Sequence, residues 1–300
     1  MAVAAALVLG GAVLVGVGMA RDSDGFAGVL PLASDHSGAA PSSPAAPSPT
    51  GPSPEELRKQ QRAKQVKQLD AALKKYAAGA PEFSVAVLDR KTGERYSYRG
   101  AERYETASVV KVQVLACLLL TAQDGDRDLS SNELALAKRM IRASDNDATT
   151  VLFGRLGRYR GLTACNKRLG LTQTKVSSAW GLTKTTVDDQ VKLLNELVDV
   201  KGPLDAGSRE LAFELMSTVR SDQDWGVPAV AGKGEEFTVK NGWLPRSTEG
   251  GRWIINSVGR VTGDDTDVSI AVLSHGNGSM GSGIKLVEKV AKLTRQHLRY

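Results

Sequence analysis

Ser108 and Lys111 are a pair of residues whose types and spacing could do chemistry. They lie at the start of a stretch, Glu105 to Thr121, that is apolar almost all the way round. A helix without a polar face is a buried helix, and positions three apart lie on one face. The spacing therefore predicts a hydroxyl at a helix N-terminus with an amine one turn further along. A serine beside a base is the general arrangement of an activated nucleophile, and the helix dipole favours negative charge on its oxygen.

Two further short motifs follow, and both can be placed on predicted elements. Ser144–Asn146 reads Ser-Asp-Asn and lies in a loop between two predicted helices. Lys240–Gly242 reads Lys-Asn-Gly and lies on a predicted strand. Two other matches are set aside. Ser282–Lys285 repeats the first spacing without this company, and Lys91–Gly93 falls in a predicted hairpin turn, where Thr-Gly is ordinary turn chemistry.

Ser-x-x-Lys, Ser-Asp-Asn and Lys-Thr-Gly, in this order, are the motif set of class A β-lactamases and penicillin-binding proteins. The chain resembles this superfamily of acyl-serine enzymes from about residue 55 to the C-terminus, with Asn241 in place of the threonine. The resemblance implies an α+β fold of the β-lactamase/transpeptidase type. In that α/β sandwich, an antiparallel sheet is flanked by helices and accompanied by an all-helical subdomain.

The predicted elements agree with such a fold. Strands near both ends of the chain, with helices between them, imply one sheet assembled from distant segments and a helical insertion beside it. Helical patterns dominate from Ser108 to Val219. The other predicted elements are a helix from Pro54 to about Ala78, a hairpin over Glu82–Tyr98, strands at Glu236–Trp243, Arg252–Thr262 and Asp267–His275, and a closing helix over Ile284–Leu298.

The resemblance implies catalytic roles for four residues. Ser108 would attack a carbonyl and form an acyl-enzyme, and Lys111 would take its proton if the amine is neutral when it acts. Ser144 would relay a proton to the leaving nitrogen. Lys240 would supply positive charge for a substrate carboxylate and would also bias Ser144.

Four further residues are predicted to bind substrate. Asn146 would offer its amide to a backbone group of the substrate, and Gly242 would let the substrate approach without a Cβ in the way. Asn241 replaces a hydroxyl that would contact the substrate carboxylate. The backbone N–H groups of Trp243 and Ser108 match the oxyanion hole of the family. The substrate would lie along this strand like an added strand.

One stretch departs from the class A β-lactamases. Those enzymes hydrolyse the acyl-enzyme with a glutamate on a loop, but the matching stretch here, Leu169 to Trp180, contains no carboxylate. Asp188 and Asp189 are the carboxylates that could fold back to replace it. Trp180 and Trp225 are interpreted as packing residues, although either could border the cleft.

These features lead to two hypotheses that differ in turnover. The first is an exported serine hydrolase that cleaves an amide of a β-lactam or a peptidoglycan-like substrate through a Ser108 acyl-enzyme, with slow deacylation. A D,D-peptidase acting on peptidoglycan stem peptides is a close variant. The second is a penicillin-binding or sensor module that has the same fold and does not turn over. The missing loop carboxylate favours slow turnover, whereas intact Ser108, Lys111, Ser144 and Lys240 favour retained chemistry.

The N-terminal part differs in composition from the rest. Residues 1–20 carry no charge and predict a signal peptide or a membrane anchor, and the choice between cleavage and anchoring stays open. Residues 21–54 are rich in Ala, Ser and Pro and predict a disordered linker. Residues 55–300 would form the catalytic domain. The predicted location is extracytoplasmic, with membrane contact only through the N-terminal segment.

Composition argues against several other classes of protein. The formal net charge of +6 is mild and diffuse, which argues against a nucleic-acid binder. We expect a monomer without metal or cofactor, because the histidines form no triad or metal site; they are His36, His275 and His297. Cys117 and Cys165 are too few for a disulfide framework, and whether they are bridged stays open.

Overall fold

A computed structural model describes residues 51–300 of the chain. The predicted signal peptide or anchor and most of the predicted linker lie outside the described residues. The first described helix, α1, spans Pro54–Ala77, within one residue of the prediction. It begins there because Ser53 and Glu56 form a capping box, in which each side chain accepts a hydrogen bond from the other residue's backbone N–H.

Antiparallel strand pairing dominates the β structure. The strands are β1 (Glu82–Asp89), β2 (Arg95–Tyr98), β3 (Tyr104–Glu105), β4 (Lys184–Thr185), β5 (Glu236–Arg246), β6 (Arg252–Thr262) and β7 (Asp267–Asn277). Five of them form one sheet in the order β2-β1-β7-β6-β5, while β3 and β4 pair separately. The N-terminal hairpin therefore joins the C-terminal strands, in a register that runs from Glu82 opposite His275 to Asp89 opposite Val268. The prediction of a sheet assembled from distant segments is confirmed.

Helices cover both faces of this sheet. They are α2 (Val110–Asp124), α3 (Ser131–Arg142), α4 (Asn146–Arg155), α5 (Arg158–Arg168), α6 (Val187–Glu196), α7 (Ala206–Ser217) and α8 (Met280–Leu298). Alternation along β1 sends Phe83 and Val85 into a core with α1 and α8, and sends Ala86 and Leu88 into a core with α2 and α6. The α+β architecture is the one that the resemblance implied.

The helix that follows the proposed nucleophile is the centre of the second core. The stretch Ala107–Asp124 is long and apolar enough to cross a membrane by composition, with a mean hydropathy of 1.3. However, 78% of it is buried inside the fold, which is the pattern of a core helix. Lys111 and Gln113 are buried with it, and both have polar partners there.

A disulfide joins α2 to a neighbouring helix. Cys117 on α2 is bonded to Cys165 on α5, with the two Cα atoms 5.9 Å apart. The bridge closes a segment with a sequence separation of 48. Such a cross-link stabilises a fold by roughly 2–4 kcal/mol, mainly by restricting the unfolded chain. The sequence left open whether these cysteines are bridged. In the structure they are, because α2 and α5 pack side by side.

Candidate active site

The proposed nucleophile lies on a short turn rather than on the helix itself. Ala107–Val109 form a single 3-10 turn, and α2 starts at Val110. Ala107 has φ +45°, a left-handed conformation that costs a non-glycine residue free energy and is concentrated at functional sites. The Asn256 amide holds this turn by donating hydrogen bonds to the carbonyls of Glu105 and Thr106, at 2.9 and 3.0 Å.

Gly242 explains how the turn fits against the sheet. A Cβ added at Gly242 would lie 2.8 Å from both Ser108 N and Thr106 O. These distances are too short for any side chain, so only glycine lets β5 pack against the backbone of Ser108. The sequence predicted that Gly242 makes room for substrate; the close neighbour in the structure is the protein's own turn.

Lys111 points from α2 to the loop between α3 and α4. Its Nζ donates to the carbonyl and the Oγ of Ser144, at 2.6 and 3.0 Å, and to Oδ1 of Asn146 at 2.9 Å. The side chain has no exposed surface. In the described chain Ser108 Oγ has no hydrogen-bond partner, so the amine is set beside the second motif rather than bonded to the nucleophile.

A second buried lysine reaches the same hydroxyl. Lys240 on β5 donates from Nζ to Ser144 Oγ at 2.9 Å, and it too has no exposed surface. The structure therefore brings together three of the predicted catalytic side chains, and Ser144 is the one that both lysines share.

Burial changes the protonation of both amines. It lowers the pKa of Lys111 to about 7, although the Asp145 carboxylate opposes the change. Burial, and then the charge of Lys111, hold the pKa of Lys240 well below its usual value. Two ammonium groups on one hydroxyl would repel each other, so the pair favours a state with at least one neutral amine. A neutral amine near pH 7 is what a general base requires.

The loop that carries Ser144 is held rigidly. Ser144 has φ +54°, again a left-handed conformation. Asp145 caps α4 by accepting from Ala148 N at 2.9 Å, and its other oxygen accepts from Arg139 Nε at 2.8 Å. Asp145 therefore braces the loop and holds Ser144 between the two amines.

A cavity of about 270 Å³ opens beside Ser108. Its lining is uncharged and mostly apolar, and consists of Ala107, Ser108, Asn146, Ala179, Trp180, Gly181, Leu182, Trp243 and Leu244. Asn146 gives its oxygen to Lys111, which leaves its NH₂ free to face a ligand. Trp243 lies on β5, whose outer edge is unpaired in the described sheet. Asn146 and Trp243, two of the residues predicted to bind substrate, therefore line the same cavity as Ser108.

Asn241 does not lie in this cavity. Its side chain is 1% exposed, and its NH₂ donates to the carbonyls of Gln223 and Trp225, at 2.8 and 2.9 Å. Successive residues of a strand point to opposite faces, and these two carbonyls hold the amide on the buried side. Asn241, which was predicted to bind substrate in place of the family's hydroxyl, therefore turns its amide away from this cavity.

The loop opposite the lysines presents an aromatic ring. The Trp180 ring lies 5.1 Å from Lys111 Nζ, and its Nε1 donates to Thr150 Oγ1 at 3.2 Å. Trp180 therefore borders the cleft, whereas Trp225 is buried and packs against Trp243 with ring centres 6.1 Å apart. Nothing in the sequence separated these two roles, because both tryptophans lie in segments without periodicity.

The two candidate replacement carboxylates are engaged elsewhere. Asp189 is 3% exposed and accepts hydrogen bonds from Gln173 N at 2.9 Å and Thr174 Oγ1 at 2.6 Å. It holds the loop from behind. Asp188 lines a different cavity, beside Arg95. Neither carboxylate lines the cavity at Ser108, so neither has folded back to take the place of the missing base.

Comparisons with known proteins agree with this geometry. The family model described as "Beta-lactamase enzyme family" matches residues 62–134 and 133–298. A β-lactamase from Xanthomonas campestris superposes with TM-score 0.65 and 18% identity, over 81% of this chain and 98% of that one. A point mutant of PBP-A, in an acyl-enzyme complex with penicillin G, gives TM-score 0.68 and 17% identity, over 79% and 97%. At these identities the likeness is one of fold.

A sequence relative adds a second comparison. The Mycobacterium tuberculosis protein named "Putative lipoprotein LppW" is 31% identical over 176 residues, which are 56% of this chain and 56% of that protein. The match thus spans little more than half the length of the relative. The family match, in contrast, covers almost all of the described residues. The chain belongs to the beta-lactamase enzyme family.

Proposed function

We propose that the protein is an exported acyl-serine hydrolase that cleaves an amide of a β-lactam or peptidoglycan-like substrate through a Ser108 acyl-enzyme, with slow deacylation. The observation that carries the proposal is the pair of buried lysines on Ser144 Oγ, at 3.0 and 2.9 Å, together with a Ser108 Oγ that has no hydrogen-bond partner among residues 51–300. Burying two amines is costly, and such clusters are typical of sites that transfer protons.

The acylation step follows from these contacts. Neutral Lys111 takes the proton of Ser108 as Oγ attacks the substrate carbonyl carbon. The oxyanion is stabilised by the N–H groups of Ser108 and Trp243, each donor of this kind being worth about 10²–10³ in rate. The C–N bond then breaks, and the leaving nitrogen takes the proton of Ser144 Oγ. Ser144 regains a proton from Lys111, which had taken it from Ser108. The step consumes no cofactor and leaves the acyl group on Ser108.

Release of the acyl group has less support. It needs a base that activates water, and the loop supplies no carboxylate to the cavity. The Trp180 ring also lies 5.1 Å from Lys111 Nζ and reduces the room for a water molecule beside this amine. Lys111 would therefore have to act as the base in both acylation and hydrolysis, and hydrolysis of the acyl-enzyme would limit the rate of turnover.

This limit favours a second candidate function. A penicillin-binding or sensor module would stop at the acyl-enzyme, and a D,D-peptidase would release it at a moderate rate. The absence of a carboxylate from the cavity is the observation that favours the first of these. The number of product molecules released per protein in a long incubation separates the candidates.

Intact-protein mass spectrometry tests the nucleophile. An activated ester and a penicillin are each incubated with the protein, and the added mass is mapped by peptide digestion. We expect one acyl group on Ser108, none in Ser108→Ala, and normal labelling in Ser282→Ala. Ser282 is the matched control because it carries the other Ser-x-x-Lys spacing but lies exposed at the start of α8. Label that persists in Ser108→Ala would overturn the proposal.

Export and domain boundaries are part of the same proposal. The apolar residues 1–20, the linker over 21–54 and a relative named as a lipoprotein support an envelope location for the catalytic domain, residues 55–300. A fusion of residues 1–54 to a reporter that works only outside the cytoplasm should be active. The same fusion lacking residues 1–20 is the control, and reporter activity in that control would contradict the assignment.

A further inference from the structure

The cations nearest the cleft have no donor left for a ligand. Lys240 Nζ is within 2.9 Å of Ser144 Oγ and of its neighbour's carbonyl, and 3.5 Å from Gln223 Oε1. Lys111 Nζ also has three acceptors. A neutral amine has two N–H donors and an ammonium group has three, so three acceptors occupy the donors of each amine in either protonation state. Neither side chain has exposed surface on which a substrate anion could rest.

The residue next to Lys240, Asn241, also offers no donor to the cavity. The NH₂ of Asn241 is held by two backbone carbonyls on the buried side. One of these carbonyls belongs to Trp225, which is 8% exposed and packs against Trp243. The amide therefore cannot swing toward the cavity without breaking both bonds.

The nearby arginines are neutralised by partners. Arg246 follows Leu244 on β5, and its Nε lies 3.0 Å from Glu105 Oε2, with both side chains largely buried. Arg220 is 65% exposed and lies 3.3 Å from Asp222. Neither arginine lines the cavity, whose described lining contains no charged side chain.

From these contacts we infer that the substrate carries no free carboxylate beside the scissile bond. Within the proposed class, the substrate is one whose carboxylate is absent or capped as an ester or amide, with largely apolar groups on both sides of the carbonyl. Moving a carboxylate from water to an apolar lining without a paired cation is unfavourable, whereas apolar groups gain from the same burial. The inference rests on the proposed acyl-serine function and narrows its substrate: an unmodified penicillin would acylate Ser108, but its carboxylate would hinder rather than help.

A matched pair of probes tests the inference. Benzylpenicillin and its methyl ester differ only in the carboxylate, and second-order acylation rates of the wild-type protein are measured by intact mass. Each rate is divided by that of the same probe with hydroxide, which removes the difference in intrinsic reactivity. We expect the ester to react at least as fast as the acid. A corrected rate that is tenfold or more higher for the acid would overturn the inference.

A designed cation provides the second arm. Leu244 lines the cavity, and Leu244→Arg would place a guanidinium at its edge, with Leu244→Gln as the uncharged control. A charge-assisted hydrogen bond should raise the acid-to-ester rate ratio about tenfold in Leu244→Arg relative to Leu244→Gln. The ratio within each variant cancels general damage to the site. An unchanged ratio would count against the inference, because the carboxylate would then not be the feature that limits acylation.

The inference and the proposed function fail in different ways. If neither probe nor the activated ester labels Ser108, the acyl-serine proposal is wrong. If all three label Ser108 and the acid is strongly preferred, the proposed function stands and only the uncharged substrate class is rejected.

Discussion

The two walls of the cleft are built from different materials. On one wall, the buried amines of Lys111 and Lys240 each lie within 3.0 Å of Ser144 Oγ. On the other, the loop over residues 169–180 presents an aromatic ring and backbone to the cavity, and its one carboxylate contact, Asp189, holds it from behind. The amines of the first wall suit proton transfer, whereas the second wall shapes the cavity. The proposed acylation step therefore uses the first wall, and the proposed hydrolysis step would need a base that the second wall does not supply.

The difference also appears in how each wall is held. The lysine wall contains Ser144 in a left-handed conformation, with Asp145 and Arg139 bracing it. Such strain persists only where surrounding contacts determine it. The loop wall is anchored by Asp189 and by an antiparallel backbone β-bridge between Lys175 and Lys184. Changes on the first wall should therefore affect chemistry, and changes on the second should affect protonation and stability.

The largest expected effect is at Lys111. Arginine keeps the positive charge but cannot give up its proton, so Lys111→Arg should slow acylation by at least about 10²-fold. Lys285→Arg is the matched control, because it lies in the other Ser-x-x-Lys match, away from the cavity, and should change nothing. Acylation rates from intact mass decide the matter. Near-normal acylation in Lys111→Arg would remove the base role from this wall.

The next largest effect is a difference in rate between the initial burst and the steady turnover of an ester substrate. A chromogenic activated ester should release about one product molecule per protein in a burst, followed by slow turnover, because acyl-enzyme accumulates when hydrolysis limits the cycle. Stopped-flow absorbance measures both phases, with Ser108→Ala as the control that shows no burst. Fast linear release without a burst would mean that the loop wall supplies a base after all.

A smaller effect on acylation is expected when the aromatic ring of Trp180 is removed. Acylation needs neutral Lys111, whose pKa is about 7 mainly because of burial, so the rate should rise as pH increases through 7. Trp180→Ala lets water reach the amine, which should raise that pKa and move the rate profile to higher pH. A move of one pH unit would slow acylation at pH 7 by less than about tenfold.

The pH profiles of Trp180→Ala and Trp180→Phe are compared by the same mass assay. Phenylalanine keeps an aromatic ring over the amine, so its profile should stay close to that of the wild type. The ring also attracts an ammonium group and so favours the charged form. A profile that moves to lower pH in Trp180→Ala would show that this attraction outweighs the exclusion of water.

The smallest expected effect on catalysis is at Asp189. Asp189→Asn weakens the hydrogen bonds that hold the loop and should lower the free energy of unfolding by about 1–3 kcal/mol, as measured by denaturant titration. Asp188→Asn is the control on the same helix. Burst size and steady rate should stay the same in both variants. Slower hydrolysis in Asp189→Asn at unchanged stability would identify Asp189 as the missing base.

Local patterns predicted most of the elements. The strand pattern of FSVAVLD and the alternation in RYSYR predicted the hairpin that became β1 and β2, and a helical stripe with Pro54 at its start predicted α1. Both signals depend on neighbours in the chain. The boundary at Ser108 was wrong by a short turn, because contacts with Gly242 and Asn256 on the sheet bend the backbone there.

The site was predictable to the extent that its residues form motifs. Motif order identified Ser108, Lys111, Ser144 and Lys240, and the structure brings the last three within hydrogen-bonding distance. The direction of the Asn241 side chain was not predictable, because it depends on two carbonyls that lie eighteen and sixteen residues away in the chain. The position of Trp180 over Lys111 was not predictable for the same reason.

The sequence by itself determined the family, the strand and helix pattern, the nucleophile candidate and the absence of a carboxylate from the loop. These properties reside in residue types and short spacings. Only the tertiary structure decided that Cys117 and Cys165 are bonded, that two amines share one hydroxyl, and that Asp189 serves the loop rather than the cavity. The physical reason is that protonation and pairing depend on burial and on atoms brought together from distant parts of the chain.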